Sequence, residues 1–146
     1  MNIYFLKRLN KVNQMSVAEA MELIDPKGTS HKGLYPLSNL IVGEYIGLSI
    51  NITGPKDTED KMEYNIADAL HWCRVPVGID GMQEYGGRKN FKGSLCAKEE
   101  WVFIKAKGQL YVDNDRQTTS NRNFTIGIAL MTALVSAVLT ALLTSK

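Results

Sequence analysis

The residue types that most often bind metals or act as nucleophiles are sparse, with two cysteines and two histidines among 146 residues. Cys73 lies two residues after His71, whereas Cys96 and His31 are far from both. Zinc sites are built from close ligand pairs, which this spacing lacks, and residues two apart on a helix point about 200° away from each other. Cys73 is therefore best explained as a small core residue. We predict no metal site, no cofactor site and no catalytic cysteine.

An acid–base pair is suggested by Asp68 and His71, which stand three residues apart. On a helix this spacing places both side chains on one face, where a hydrogen bond can orient the imidazole. Cys73 cannot easily meet His71, so no nucleophile accompanies the pair. The sequence therefore favours a protein that is not an enzyme.

Basic residues gather in a glycine-rich segment, residues 81–93, where Arg88, Lys89 and Lys92 surround Phe91. Backbone N–H groups, positive charge and one aromatic ring can together contact a phosphate or an anionic lipid headgroup. The segment lacks the Gly-Lys-Ser/Thr ending of a P-loop, so it does not carry that motif. We predict a flexible loop here that either contacts an anion or is an ordinary solvated surface.

Helices must position these residues. Ser16 and Glu19 have the spacing of a capping box, and the apolar residues that follow recur at helical intervals. They predict a helix over residues 16–25, which Pro26 ends. Apolar spacing between residues 37 and 48, with alternation at its end, predicts a helix that runs into a short strand, although either element alone also fits.

A further helix is predicted over residues 58–73, and a β-hairpin is predicted after the glycine-rich loop. Residues 101–104 and 110–112 are rich in strand formers, with a turn at Lys107-Gly108 between them. The expected fold class is α+β. Residues 1–112 would form a small N-terminal domain of short helices followed by this hairpin.

The order of these elements, over residues 16 to 112, resembles that of a winged-helix domain, although no residue motif carries the resemblance. In such a domain the helix at 58–73 would enter the major groove of DNA. Its exposed face includes Asp60, Glu63 and Asp68, which would repel phosphate. Nucleic acid is therefore not an expected partner.

The start of the chain is predicted to be a packed helix, because Ile3, Leu6 and Leu9 recur at helical intervals. The apolar run before Lys7 is too short for a secretory signal. Three cations and no acid among the first eighteen residues also fit a mitochondrial targeting helix. That alternative stays open.

The C-terminal segment from Phe124 to Leu143 carries no charged residue. A helix of that length spans roughly 30 Å, the thickness of the hydrocarbon core of a bilayer. We predict a transmembrane helix at 124–143, preceded by a polar stalk at 113–123 and followed by a tail at 144–146. Basic residues are more frequent before the helix than after it, which predicts that the N-terminal domain faces the cytoplasm or the mitochondrial matrix.

Small residues recur every four positions along this helix in two adjacent rows, while bulky aliphatic residues fill the other side. In lipid, small residues that let backbones approach closely mark the faces where helices meet. The predicted packing face consists of Thr125, Ala129, Thr132, Ala133, Ser136, Ala137, Thr140 and Ala141. Its expected partners are other transmembrane helices.

The sequence therefore predicts a tail-anchored, single-pass membrane protein that acts as a protein-interaction module or as an accessory subunit of a larger membrane complex. One alternative is a self-associating viral or bacterial membrane protein, in which the small-residue face drives oligomerisation. Another is a membrane-anchored domain that binds phosphate or a nucleotide through residues 81–93. The mild net charge of +2 does not call for nucleic acid.

Overall fold

The structure, a computed structural model, describes residues 2–49, 59–91 and 99–144. Within these ranges the chain forms five α-helices, one 3-10 helix and two small antiparallel sheets, so the α+β class is confirmed. The helices are α1 (Ile3–Val12), α2 (Val17–Ile24), the 3-10 helix (His31–Leu34), α3 (Tyr35–Val42), α4 (Glu59–Trp72) and α5 (Ala106–Thr144). The strands are β1 (Gln14–Ser16), β2 (Ile46–Leu48), β3 (Met82–Tyr85), β4 (Arg88–Phe91) and β5 (Trp101–Ile104). The chain separates into two compact units, Met1–Leu110 and Tyr111–Lys146.

Helix α2 begins with the capping box that the sequence predicts. The Ser16 hydroxyl accepts a hydrogen bond from the Glu19 N–H at 3.2 Å, and the Glu19 carboxylate accepts one from the Ser16 N–H at 2.9 Å. The bond from the Ser16 N–H, followed by that from its hydroxyl, lowers the pKa of Glu19. The predicted helix–strand succession corresponds to α3 and β2, and the predicted helix at 58–73 corresponds to α4. These three predictions are confirmed.

The core of the first unit is apolar. α1 and α2 contact the three-stranded sheet, α3 contacts β2, and α4 lies against α3 and the 3-10 helix. Leu6 and Leu9 of α1, Met21 of α2, Leu37 of α3 and Leu70 of α4 are almost completely buried. Each such side chain contributes about 1.5–3 kcal/mol by leaving water. These aliphatic contacts stabilise the first unit and hold α4 in place.

Strand β5 is the middle strand of the three-stranded sheet, whose order is β1-β5-β2. Val102 lies opposite Met15 on one side and Leu48 on the other, and its side chain is completely buried. Trp101 and Phe103 point to the other face, where they are 43% and 39% exposed. The alternation is that of a strand with one buried face.

The predicted hairpin of residues 101–104 and 110–112 is wrong, and the winged-helix element order is wrong with it. Residues 110–112 belong to α5, and β5 pairs with β1 and β2. Gly108 lies in the helix, where an added Cβ would collide with the carbonyl oxygen of Tyr45. The glycine is therefore needed for close backbone approach and not for a turn.

A hairpin is present instead where the sequence predicts a flexible, glycine-rich loop. β3 and β4 pair with Met82 opposite Phe91 and Tyr85 opposite Arg88. The turn between them consists of Gly86 and Gly87, with φ of 58° and 74°. Two consecutive residues with positive φ are what a type I′ hairpin turn requires, and glycine adopts them without steric cost. For β3 and β4, the loop prediction is wrong.

Helix α5 contains 39 residues and includes the predicted stalk, residues 113–123, which is helical. Among the described residues, no helix combines the length and the apolar character needed to cross a membrane. The predicted span ends at Leu143, and the side chains of residues 139 and 141–143 lie outside the described set. Of the predicted tail, residues 145 and 146 lie outside the described residues as well.

Candidate functional site

Polar side chains fasten the β3–β4 hairpin to α4. The Arg88 guanidinium donates two hydrogen bonds to the Asp68 carboxylate, with Nη2–Oδ1 at 2.6 Å and Nη1–Oδ2 at 3.1 Å, and this contact raises the pKa of Arg88. The same guanidinium lies 5.5 Å from the ring centre of Trp72. The buried Gln83 amide donates to the carbonyl oxygens of Trp72 at 2.9 Å and Val75 at 2.5 Å. It thereby satisfies carbonyl groups at and just beyond the C-terminus of α4.

A histidine–tyrosine cluster lies beside this junction and joins the 3-10 helix, α4 and β3. We use that name for His31, Tyr64, His71 and Tyr85. The Tyr85 hydroxyl lies 2.9 Å from His31 Nδ1, accepts a hydrogen bond from the His31 backbone N–H at 3.2 Å and lies 3.3 Å from the Ser30 hydroxyl. The rings of His31 and Tyr64 meet edge to face at 5.1 Å. The single phenolic proton of Tyr85 can be donated to only one of its two side-chain neighbours.

His71 is the buried member of the cluster, with 4% of its surface exposed and its ring centre 4.1 Å from that of Tyr85. Within the described part of the chain, its Nδ1 atom has no hydrogen-bond partner. Burial is the main cause that lowers the pKa of His71. Charged and titratable neighbours also act on it: His31 and Arg74 lower the pKa, while Asp68 and Asp25 raise it. The net effect lowers the pKa of His71 and favours the neutral imidazole.

The predicted hydrogen bond between Asp68 and His71 does not form. Asp68 bonds to Arg88 instead, and it accepts a hydrogen bond from the Trp72 indole N–H at 3.2 Å. Cys73 donates from Sγ to the Ala69 carbonyl at 3.3 Å, whereas Cys96 lies outside the described residues. In the described ranges, no three side chains of metal-binding type come together.

Two of the predicted anion-binding residues, Arg88 and Lys89, lie on β4, and each forms an ion pair with a carboxylate. Arg88 is engaged by Asp68 on α4, while the Lys89 ammonium lies 3.8 Å from the carboxylate of Glu84 across the hairpin. Lys92 is outside the described residues. Phe91, the aromatic residue of the predicted loop, has 72% of its surface exposed. Arg88 and Lys89 thus serve two separate ion pairs.

The predicted packing face lies on an exposed part of α5, where its residues from Thr125 to Thr140 are exposed to solvent. The side chain of Ala141 is outside the described set. Three of the threonine hydroxyls donate to carbonyl oxygens one turn earlier: Thr125 to Asn121 at 3.0 Å, Thr132 to Ile128 at 2.9 Å, and Thr140 to Ser136 at 2.9 Å. These hydroxyls are therefore satisfied within their own helix.

Bulky apolar side chains occupy the rest of the helix surface. Their exposed fractions lie between 52% for Ile126 and 71% for Phe124. The set is Phe124, Ile126, Ile128, Leu130, Met131, Leu134, Val135 and Val138. At about 100° per residue these positions cover an arc of about 200°. Most of the small residues lie in the remaining arc, whereas Ala137 lies within the bulky one. Bulky and small side chains therefore occupy largely opposite sides of the helix.

The histidine–tyrosine cluster was not predicted from the sequence. One local signal does indicate the hairpin that carries Tyr85. A Gly86-Gly87 pair lies between Tyr85 and Arg88, and two consecutive glycines between short strands are typical of a type I′ hairpin turn. The contacts of Tyr85 with residues of the 3-10 helix, more than fifty positions earlier, have no local signal. The chain matches no protein-family model, no curated protein and no solved structure.

Proposed function

We propose that this chain is a tail-anchored, single-pass membrane protein whose first unit is an interaction module or an accessory subunit of a larger membrane complex. One observation carries the proposal. The apolar side chains of α5 between Phe124 and Val138 are uncovered, whereas the first unit encloses its own apolar core. Covering these side chains with lipid or with other helices would stabilise the helix.

The energetics of burying apolar surface favour a lipid bilayer as the environment of these side chains. An apolar side chain gains about 1.5–3 kcal/mol when it leaves water, and eight large ones are exposed along this stretch. The threonine hydroxyls, bonded to Asn121, Ile128 and Ser136 of the same helix, need no water. Each of these features is compatible with lipid.

The proposed orientation places the first unit on the cytoplasmic or matrix side. Arg116 and Arg122 lie within ten residues of Phe124 on its N-terminal side. Basic residues close to a span are retained on the side where translation occurs. On the C-terminal side, Lys146 is the first charged residue after Phe124.

The proposed partners are transmembrane helices that contact the small-residue face. Ala133 and Ala137 would let a neighbouring backbone approach closely, which stabilises helix association in lipid through van der Waals contact. In a complex with different proteins, the first unit would be held beside its partners. A complex of identical chains would make the protein a self-associating one.

Membrane extraction tests the anchor. The full chain should remain in the membrane pellet after alkaline carbonate, and Leu130→Arg with Leu134→Arg should release it, because each arginine costs about 2.5–3.5 kcal/mol at the centre of a span. The matched control is Leu130→Ile with Leu134→Ile, which should stay in the pellet. If the unmodified chain appears in the soluble fraction, the anchor is wrong.

Native mass spectrometry after extraction in mild detergent tests the role. Different proteins bound in a fixed ratio would support the accessory-subunit function. A complex of identical chains alone would shift the function to self-association. A monomer without partners in every detergent would contradict both.

A further inference from the structure

Strand β1 is an edge strand of the three-stranded sheet, whose order within the described residues is β1-β5-β2. Just after the strand, the Val17 N–H donates a hydrogen bond to the Glu100 carbonyl oxygen at 2.8 Å. Because the hydrogen bonds of an antiparallel pair alternate along the strand, Met15 faces β5 with both its backbone groups, and Gln14 faces the open side. No strand of the described part of the chain pairs with Gln14 there, so its N–H and C=O can bond to another chain.

A groove of about 670 Å³ lies along this strand. Its described lining comes from α1, β1, α2 and the residue that ends α2, and not from β5, which places the groove on the open side of β1. The apolar part of the lining consists of Val12, Met15, Leu23 and Pro26. Val12 and Leu23 are 49% and 39% exposed. The groove therefore combines an open strand edge with uncovered apolar surface.

The charged residues in the described lining of the groove are two acids, Glu19 and Glu22, and one base, Arg8. The Glu19 carboxylate accepts hydrogen bonds from the Ser16 N–H at 2.9 Å and from the Ser16 hydroxyl at 3.0 Å. These bonds, and after them the charge of Arg8, lower the pKa of Glu19. Arg8 and Glu19 thus offset each other, and the exposed carboxylate of Glu22 is left to attract a cation.

We propose that this groove binds an extended segment of a partner protein, which pairs as an antiparallel strand with β1 and carries a basic residue close to Glu22. In an antiparallel pair one residue exchanges both hydrogen bonds with the residue opposite, which suits an edge where Gln14 is the residue that faces outward. Residues opposite each other share a face of the sheet. The two neighbours of the residue paired with Gln14 therefore share the face of Met15 and enter the groove. Main-chain bonds supply affinity in this mode of binding, and the side chains supply specificity.

The inference rests on the proposed function, in which the first unit is an interaction module, and it names the class of partner. That partner would carry an extended segment with alternating apolar residues and a lysine or arginine. A helix is another occupant of apolar grooves, but it satisfies its own backbone groups and would leave those of Gln14 unpaired. A second copy of this chain could also place its own β1 beside this one. The experiments below distinguish these occupants.

A library of random peptides displayed on phage, selected against the full chain in mild detergent, tests the groove. We expect the selected peptides to alternate apolar and polar residues and to contain lysine or arginine. Leu23→Gln, which removes apolar surface, and Glu22→Lys, which reverses a charge, should each weaken their binding about tenfold or more. Leu110→Gln, at an exposed leucine outside the described lining of the groove, is the matched control and should bind them as tightly as the unmodified chain.

N-methylation of a selected peptide, one residue at a time, tests the strand pairing. The methyl group removes one N–H donor, so binding should fall about tenfold or more at the residue paired with Gln14. Methylation of either neighbour, whose N–H points away from β1, should have little effect. Loss of binding at every internal residue would indicate a bound helix and would overturn the strand pairing.

Carbonate extraction and native mass spectrometry of the same chain separate failure of this inference from failure of the proposed function. A chain that stays in the membrane with its partners, yet selects no peptide that depends on Leu23, would overturn the groove and leave the function intact. Peptide binding by a chain that carbonate releases would support the groove and overturn the anchor. A dimer that Leu23→Gln dissociates, with no peptide selected, would overturn the partner segment in favour of a second copy.

Discussion

Arg88 on β4 holds Asp68 on α4 through two parallel hydrogen bonds, with Nη2–Oδ1 at 2.6 Å and Nη1–Oδ2 at 3.1 Å. The two residues are twenty positions apart and belong to different elements. Planar guanidinium and carboxylate groups match in this bidentate geometry, which is stronger than a single charged contact. The pair is therefore a specific attachment between the hairpin and the helix.

Breaking this pair should loosen the hairpin without unfolding the first unit. We expect Arg88→Ala and Asp68→Asn each to lower the free energy of unfolding by about 1 kcal/mol, because the arginine is half exposed and water screens the interaction. Amide hydrogen exchange should accelerate in β3 and β4. Lys89→Ala is the control, since its partner Glu84 lies within the hairpin. Additive effects in a double-mutant cycle would show that the contact contributes nothing.

Acid should destabilise the first unit through His71. Burial lowers its pKa in the folded state below the ordinary value of 6.5, so the unfolded chain takes up the proton first as the pH falls. Well above pH 6.5 both states are neutral and this group gives no pH dependence. Below it, the free energy of unfolding should fall by at most about 1.4 kcal/mol per pH unit until the folded pKa is reached.

The variant His71→Phe should lose this component of the pH dependence. Chemical unfolding followed at several pH values between neutral and mildly acidic would measure the slope. Lys32→Gln, at an exposed position beside the cluster, should retain it. An unchanged slope in the phenylalanine variant would assign the acid sensitivity to another group.

Two glycines of α5 should respond differently to alanine. At Gly108 a Cβ would meet the carbonyl of Tyr45, whereas at Gly127 nothing lies within 4 Å. Gly108→Ala should lower the free energy of unfolding of the first unit by about 1–3 kcal/mol, as for other overpacked sites. Gly127→Ala should leave it unchanged. Tryptophan fluorescence suits this measurement, because Trp72 and Trp101 both belong to the first unit. Equal stabilities for both variants would contradict the close approach.

Helix association through the predicted packing face should be sensitive to side-chain size. Ala133→Leu with Ala137→Leu should weaken association with partner helices by about 1–3 kcal/mol, which is about 5- to 150-fold, because leucine keeps the backbones apart. Native mass spectrometry in mild detergent would report the loss of the complex. Leu134→Ile, on the bulky side, preserves volume and should have little effect. If the leucine variants associate normally, the packing face is elsewhere.

Local patterns predicted most helices of the first unit correctly. The capping box of Ser16 and Glu19, and the helical spacing within 58–73, each describe an element whose signals lie inside its own few residues. The α+β class followed from counting such elements. Because the signals are local, no knowledge of neighbouring elements was needed.

Predictions that depended on distant partners failed. Leu110 to Val112 have strand-forming residues, but β5 finds its partners in β1 and β2, and the helix continues through this segment. The spacing of Asp68 and His71 predicts a hydrogen bond between them. In the structure the Arg88 guanidinium of the hairpin binds the Asp68 carboxylate instead, in a stronger, bidentate geometry. In both cases contacts between distant parts of the chain determine the structure, and residue spacing does not reveal those contacts.

The position of β5 in its sheet has a consequence for the order of folding. Met15 and Leu48 pair with the same Val102, which follows them by 87 and 54 residues, so neither pairing can start as a local hairpin. Both require closure of a long loop before any contact compensates for the lost entropy, and such topologies fold slowly. During synthesis, the first unit therefore cannot complete its sheet until Val102 has been made. Until then Met15 and Leu48 lack their shared partner, and this is the interval in which a chaperone would find apolar surface to bind.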